Sequence, residues 1–458
     1  MFRDPGGTLK DLDGRLIRTI NKSFAPDFRA FLASSTNRTF LEQGKLVQTR
    51  LLSEPSNDPE NEMTAEHQRI SFASFPYEWP PEMLMAAGHL TLDLAESLLN
   101  DGMGLKDASP YNVLFSGAKA VFVDVLSFEQ RDTRDPAWLP YAQFVRTFCI
   151  PLLLNKHLGL SLNALFNASR DGIEPEAAYK LISPIQRFRP AFMDMVTLPT
   201  WLGSRGQKVQ TGMYRQKLTK DPEKARFILK SLYRHLRSRL RLADQNGRSR
   251  SAWCGYMSNP SYSQAEFETK SDFVRQALDE FSPKRVLDVG CNTGHFSALA
   301  AKGGSEVIAI DSDAAVVGEV WRTASAEGLN ILPLVVDIAR PSPAMGWRNE
   351  ECSSFLKRAM GKFDAVLMLA IVHHLMVTER IPLEEILKLA SDLTTDLLLI
   401  EFITPEDPMF RLIARGRGPL FSSLTMETFE SACGRHFSML RSLQLSKTRR
   451  IYRLKKKL

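Results

Sequence analysis

Val286-Leu-Asp-Val-Gly-Cys-Asn-Thr-Gly-His-Phe296 is the stretch on which the fold turns. Its apolar residues, beginning at Lys284-Arg-Val, read as a strand that ends near Asp288 and enters a turn at Gly290. Gly290 and Gly294 let the backbone bend tightly and approach a ligand where a Cβ would clash. Their spacing is GxxxG, not the GxGxxG fingerprint of dinucleotide-binding folds, which argues against a nicotinamide or flavin dinucleotide.

Working downstream, strand-like runs recur at 306–311, 331–337, 363–369 and 396–402, each separated by a helix-length segment. That alternation predicts an α/β fold, a doubly wound and mostly parallel sheet. Residues 437–445 and 450–454 are expected to complete it as an antiparallel hairpin. Asp288, Asp311 and Asp337 each close a strand, at the carboxyl edge where open α/β sheets bind ligands.

Upstream, the chain of 458 residues is too long for one ordinary core. Its 44% hydrophobic and 24% charged content excludes wholesale disorder. No apolar run approaches a membrane span, and the N-terminal residues have no secretory apolar core. Cys149, Cys254, Cys291, Cys352 and Cys433 are scattered and lack CxxC spacing, so neither a disulfide framework nor a zinc site is expected, and a cytoplasmic location is. The net charge of +7 is concentrated at 215–250, with twelve Lys/Arg against three acids, and in the tail from Lys447. Such runs form solvated helix faces or patches for an acidic partner such as RNA; without interleaved aromatics the solvated face is the preferred reading.

The glycine loop with its three strand-end acids closely resembles the class I S-adenosylmethionine-dependent methyltransferases, over essentially all of residues 260–458. The runs Asp337–Trp347, Leu369–Leu375 and Ile400–Pro408 look like a bacterial subgroup that includes the rhizobial NoeA-type nodulation methyltransferases. Ile338-Ala339 after Asp337, and the threonine at Thr404, are mild departures from the pattern. The resemblance implies S-adenosylmethionine as cofactor. Asp288, Gly290, Cys291, Asn292, Thr293 and Gly294 would hold its methionine portion, Asp311 the ribose, and Asp337 with Ile338 the adenine edge. Trp253, Tyr256, Tyr262 and Lys270 fall where many members of the fold cover the cofactor, and Tyr262 and Lys270 are taken as cofactor-binding.

Methyl transfer from a sulfonium is a direct displacement, so alignment supplies much of the catalysis. A base is needed only where a hydroxyl must lose its proton. His373 and His374 follow the fourth strand at the expected mouth, and an imidazole titrates near neutrality. Adjacent side chains diverge, so at most one of them faces the pocket. Glu401, closing the fifth strand, is the second candidate, either binding a polar acceptor or pairing with a basic residue. His295 reads as a helix-start residue, Cys291 as a backbone contact only, and no metal is expected here.

In the N-terminal half, Asp107-x4-Asn112 followed by Asp124 is similar to the catalytic loop and metal-binding acid of kinase-like phosphotransferases. Lys106 and Val125-Leu126 depart from that pattern, no phosphate-covering glycine loop is evident, and Lys45 is only a guess at the nucleotide-anchoring lysine. A degenerate, supporting module is the preferred reading; Asn112 and Asp124 would hold magnesium, with ATP, only in an active one.

The expected organisation is a kinase-like accessory domain at 1–200, a basic helical connector at 201–250 and a methyltransferase domain at 251–458. The expected activity is methyl transfer to a small-molecule or carbohydrate-like hydroxyl. The rivals are an RNA or protein methyltransferase using the connector and tail, a bifunctional kinase-methyltransferase, and a scaffold with both sites vestigial.

Overall fold

The computed structural model describes residues 4–52, 61–205, 218–243 and 263–457. They divide into two units, Met1–Asn246 and Gly247–Leu458. Trp253, Tyr256, Tyr262 and Cys254 lie outside the described residues, as does most of the acidic loop at 54–62.

The first unit opens with a sheet that the periodicity did not announce. Strands β1 (Gly7–Leu12), β2 (Arg15–Asn21), β3 (Thr49–Leu52) and β4 (Asn61–His67) pair antiparallel in the order β1-β2-β4-β3. The β1–β2 hairpin closes on Asp13-Gly14, both at positive φ, the two-residue turn whose twist matches that of the strands. Short, charged strands with one exposed face leave only a weak sequence signal, which is why these were missed.

Two helices, Ala25–Ala33 and Ser35–Glu42, sit between β2 and β3. The helix Pro81–Leu98 then buries Leu84, Ala87, Leu94 and Leu98 and leads to a left-handed Gly102, the expected stop. Next come β5 (Met103–Leu105), β6 (Val113–Ser116), β7 (Lys119–Phe122) and β8 (Phe128–Gln130), paired as β5–β8 and β6–β7.

The basic helix spans Pro222–Ala243, beginning at the proline where a break was expected. It was assigned to a connector at 201–250, yet it belongs to the first unit. Its Leu229, Tyr233, Leu236 and Leu240 are buried, and Leu240 packs at Gly88. On its polar side Arg237 pairs with Asp93 and Glu96, and Arg239 with Asp194. An amphipathic helix with that apolar stripe is held by burial, which composition alone does not reveal.

The second unit carries β9 (Arg285–Val289), β10 (Glu306–Asp311), β11 (Ile331–Val335), β12 (Phe363–Met368), β13 (Thr394–Ile403), β14 (Phe437–Ser446) and β15 (Arg449–Lys456). The order is β11-β10-β9-β12-β13-β15-β14. Strands β9 to β13 run parallel, and β15 pairs antiparallel with both β13 and β14. Strands such as β12 and β13 are buried almost throughout, which makes them continuous apolar runs and legible in sequence. The chain winds outward from β9 to β11 and then returns to β12 on β9's other side. That reversal opens a crevice at the carboxyl ends of β9 and β12, where such sheets place ligands.

Candidate active site

The loop after β9 is tied to the next strand by its own backbone. The amides of Gly290 and Cys291 both donate to the Ile310 carbonyl, at 2.9 and 3.0 Å. Gly290 has φ +74°, and a Cβ there would lie 2.6 Å from Ile371 Cδ1; Gly294 has φ +82°, and a Cβ would lie 2.8 Å from Val320 Cγ2. Both glycines are therefore required, by left-handed backbone and by close packing. Gly294 delivers the chain into the helix His295–Lys302.

A cavity of about 940 Å³ opens at this edge. Its wall contains Asp288, Gly290, Cys291, Asn292, Thr293, Asp311, Asp337 and Ile338, so the structure brings the loop and all three strand-end acids together. Gly294 shapes the bend from behind and is absent from the wall.

The three carboxylates differ in their surroundings. Asp288 is buried and accepts from Ser297 Oγ at 2.6 Å; burial pushes its pKa up to about 6 despite that bond. Asp311 accepts the amides of Asn292 (3.1 Å) and Asp313 (3.0 Å), and burial still raises its pKa. Asp337 accepts the Ala339 amide at 2.9 Å and pairs with Arg340 at 2.8 Å; Arg340 in turn holds Glu379 at 2.6 Å. Ser297 escaped the sequence reading because nothing local marks a serine as a buried carboxylate's donor.

These residues fit an adenosyl sulfonium donor. Each oxygen of Asp311 accepts one backbone amide and keeps lone-pair capacity for a ribose hydroxyl. Asn292, at φ +48°, has a buried side-chain oxygen without a hydrogen-bond partner, the kind of acceptor a ligand amine satisfies. Burial holds the Cys291 thiol well above its ordinary pKa, so it stays protonated, in keeping with a contact-only role.

The two histidines part company. His374 lines the cavity, and burial lowers its pKa, so its imidazole is neutral at pH 7. His373 points away: it is 2% exposed, off the cavity wall, and neither ring nitrogen has a hydrogen-bond partner. Its ring lies 4.2 Å from that of His374 and 6.5 Å from that of Phe410. Burial, then the neighbouring His374, push its pKa well below the usual value. His373 therefore packs as an apolar core ring, and its candidacy as a base is not supported by its position. His295 opens its helix and its Nε2 lies 3.0 Å from Ser271 Oγ.

Glu401 also lies off the wall. It is fully buried, 2.6 Å from Lys270 Nζ, and Arg449 approaches its other oxygen at 4.0 Å while pairing with Asp407 at 2.8 Å. Of its two expected roles, the structure adopts the ion pair; a direct contact with an acceptor is set aside because its carboxylate is engaged within the core. Lys270 does border the cavity, with its ammonium committed to Glu401 and 5.1 Å from the centre of the Phe296 ring.

In the first unit, hydrogen bonds join Asp107, Asn112, Ser127 and Asp124. Asn112 Nδ2 donates to Ser127 Oγ at 3.2 Å, and Ser127 Oγ donates to Asp124 Oδ2 at 2.5 Å. Asp107 Oδ1 accepts from Gln143 Nε2 at 2.6 Å. The cation at Asp124 is Arg18 of β2, 3.5 Å from Oδ1 and 2.7 Å from Asp4. Lys45, guessed as the anchoring lysine, instead follows the helix Ser35–Glu42, with its ammonium 5.8 Å from the centre of the Phe40 ring. Among the described residues, no group of three or more His, Cys, Asp and Glu side chains is arranged to hold a metal ion.

A family profile described as a methyltransferase domain matches residues 262–447. Among solved structures, the N-methyltransferase NodS from Bradyrhizobium japonicum WM9 is 12% identical, with a TM-score of 0.32 over 42% of this chain and 97% of that one. Magnesium protoporphyrin IX methyltransferase from Synechocystis PCC 6803 with bound S-adenosylhomocysteine is 20% identical, with a TM-score of 0.31 over 42% and 84%. At these scores neither adds to the fold read from the strand order. The nodulation protein NoeA of Rhizobium meliloti (strain 1021) is 31% identical over 441 residues, spanning 94% of this chain and 90% of that protein. The chain therefore belongs to the NoeA family, and it is a methyltransferase.

Proposed function

We propose that the second unit transfers a methyl group from S-adenosylmethionine to a hydroxyl of a small or carbohydrate-like molecule. The observation that carries this reading is the convergence of Asp288, Asp311, Asp337 and the glycine loop on one cavity. When bound, S-adenosylmethionine supplies an electrophilic methyl carbon whose sulfur departs with the bonding electrons as a neutral thioether. Asp311 holds the ribose hydroxyls, Asp337 and Ile338 border the adenine, and the loop 290–294 holds the methionine portion. His374, neutral on the wall, takes the hydroxyl proton as the acceptor oxygen bonds to carbon. The Lys270–Glu401 pair stiffens the wall from behind.

The first unit is a kinase-like accessory module without phosphotransfer activity. Arg18 supports this: it sits 3.5 Å from Asp124 Oδ1 and supplies positive charge where a magnesium ion would have to bind. A basic nucleic-acid surface on the helix Pro222–Ala243 is the less favoured reading: Arg237 and Arg239 are engaged in ion pairs, and only Lys224, Arg234 and Arg241 among its basic residues are exposed. Cys149, Cys291, Cys352 and Cys433 are free and buried, in keeping with a reducing, cytoplasmic setting. Among the described residues no helix is long and apolar enough to cross a membrane.

Calorimetric titration of the full chain with S-adenosylhomocysteine tests the cofactor assignment, and incubation with methyl-labelled cofactor and fractionated host extract tests the acceptor. Saturable binding that weakens about 30- to 100-fold in Asp311→Ala, with label entering an alkali-stable ether, is the expected outcome. Absence of binding at millimolar ligand would overturn it.

A further inference from the structure

The cavity wall has a second chemical character, away from its carboxylates. Thr378, Glu379 and Arg380 follow the helix Val372–Val377, and Leu412, Ile413, Arg415 and Arg417 surround the end of the helix Pro408–Ala414. Val377, Phe410 and Ala414 pack the two helices together, with Met376 and Ile413 against them. The residues leaving each helix are thereby held on one cavity.

The charge on this stretch is one-sided. Its single carboxylate, Glu379, is taken by Arg340 at 2.6 Å. Arg417 uses its Nε on the Ala414 carbonyl at 3.2 Å. Arg380 and Arg415 are exposed and make no ion pair with any described residue. Both have left-handed backbone, φ +59° and +46°, where glycine would be unstrained; side chains at these positions are held on the rim at a local conformational cost. Beside them Leu412 is 67% exposed. Two open guanidinium groups beside apolar side chains form a receptor for an anion carried on an organic body.

We infer that the acceptor carries an anionic group, a phosphate, sulfate or carboxylate, that docks on Arg380 and Arg415 while its hydroxyl lies at His374. This rests on the proposed methyl transfer and names the acceptor's class. The Asp288–Asp311 stretch suits a cationic sulfonium donor, the arginine stretch suits the opposite charge, and the two ligands are thereby sorted within one cavity.

The test uses full-length protein, with and without saturating S-adenosylhomocysteine, titrated by calorimetry with hexyl phosphate, hexanoate, hexanol and hexylamine. Hexyl phosphate and hexanoate are expected to bind, with the neutral and cationic probes at least about tenfold weaker. Arg380→Gln with Arg415→Gln should reduce anion binding about tenfold or more, Arg380→Lys with Arg415→Lys should restore most of it, and S-adenosylhomocysteine affinity should stay within about twofold in all. Equal binding of the four probes, undiminished anion binding in the double glutamine variant, or displacement of S-adenosylhomocysteine by the anion would overturn the inference. Failure of S-adenosylhomocysteine to bind, with arginine-dependent anion binding intact, would sink the cofactor assignment and leave the anion site standing. Both arginines are on the surface, so a melting temperature matching wild type verifies each variant.

Discussion

Asp124 of the first unit and Asp311 of the second unit are alike in sequence: each is an acid placed where a strand run stops. Burial pushes both carboxyls above their ordinary range. Their neighbours separate them. Arg18 reaches Asp124 from β2 and Ser127 caps its other oxygen. Asp311 holds only backbone amides and borders the cavity. The second unit also has a buried cation bordering the same cavity, Lys270, and Glu401 engages it at 2.6 Å. A strand-end acid that keeps only backbone amides and borders a cavity stays open to a ligand, whereas one packed against a buried guanidinium and a serine does not.

The strongest way to break this comparison is to release Lys270's partner. Lys270→Ala removes the 2.6 Å partner of a fully buried carboxylate, and should cost about 3–5 kcal/mol in urea denaturation. Lys270→Met combined with Glu401→Leu should recover most of that loss. A single variant losing less than about 1 kcal/mol would show that the pair does not hold the wall.

His374 tests whether the second region has a reacting end. His374→Gln should lower kcat about a hundredfold with cofactor affinity unchanged, while His373→Phe, a core ring exchanged for a ring, should change it less than about threefold. Because burial lowers the His374 pKa, the proton-accepting form persists below the ordinary 6.5. The rate should therefore be level from pH 8 to 6.5 and fall only below that. A rate still rising above pH 7 would point to another base.

Asp311→Ala should weaken S-adenosylhomocysteine binding about 30- to 100-fold, the loss of charge-assisted bonds to two hydroxyls, whereas Asp124→Ala should leave it within about twofold. Calorimetry on both variants sharpens the contrast directly; equal losses would end it. Titration of wild type with ATP and magnesium should produce no heat, and binding abolished by Asp124→Ala would restore an active first unit.

Asp288 tests the ligand-free protein, through stability and not through binding. Its pKa rises from 3.8 to about 6 on folding, so the folded state prefers the protonated acid. The associated stability is present below pH 4 and is lost as pH climbs through 6. Asp288→Asn keeps an acceptor for Ser297 and removes that penalty, so the ligand-free protein should gain about 3 kcal/mol at pH 7.5 and only about 0.5 kcal/mol at pH 4. Equal gains at both pH values would place the effect in packing.

The second unit was largely legible. The Glu306–Asp311 strand was read with its observed ends, and the hairpin at 437–456 was anticipated, because strands buried on both faces are written as apolar runs. The basic stretch at 215–250 was legible as a helix but not as part of the first unit. Its assignment needed the partner surface on the helix Pro81–Leu98.

By itself, the sequence determined the alternation that builds the parallel sheet, the glycine bend, and the acids at its edge, since these follow from local periodicity and from where a Cβ cannot fit. Tertiary structure alone decided that His374 rather than His373 borders the cavity, that Lys270 spends its charge on Glu401, 131 residues away, and that Arg18 stands between Asp4 and Asp124. Charges separated by such lengths of chain meet only after folding has excluded water between them, and no local pattern records which partner each will find.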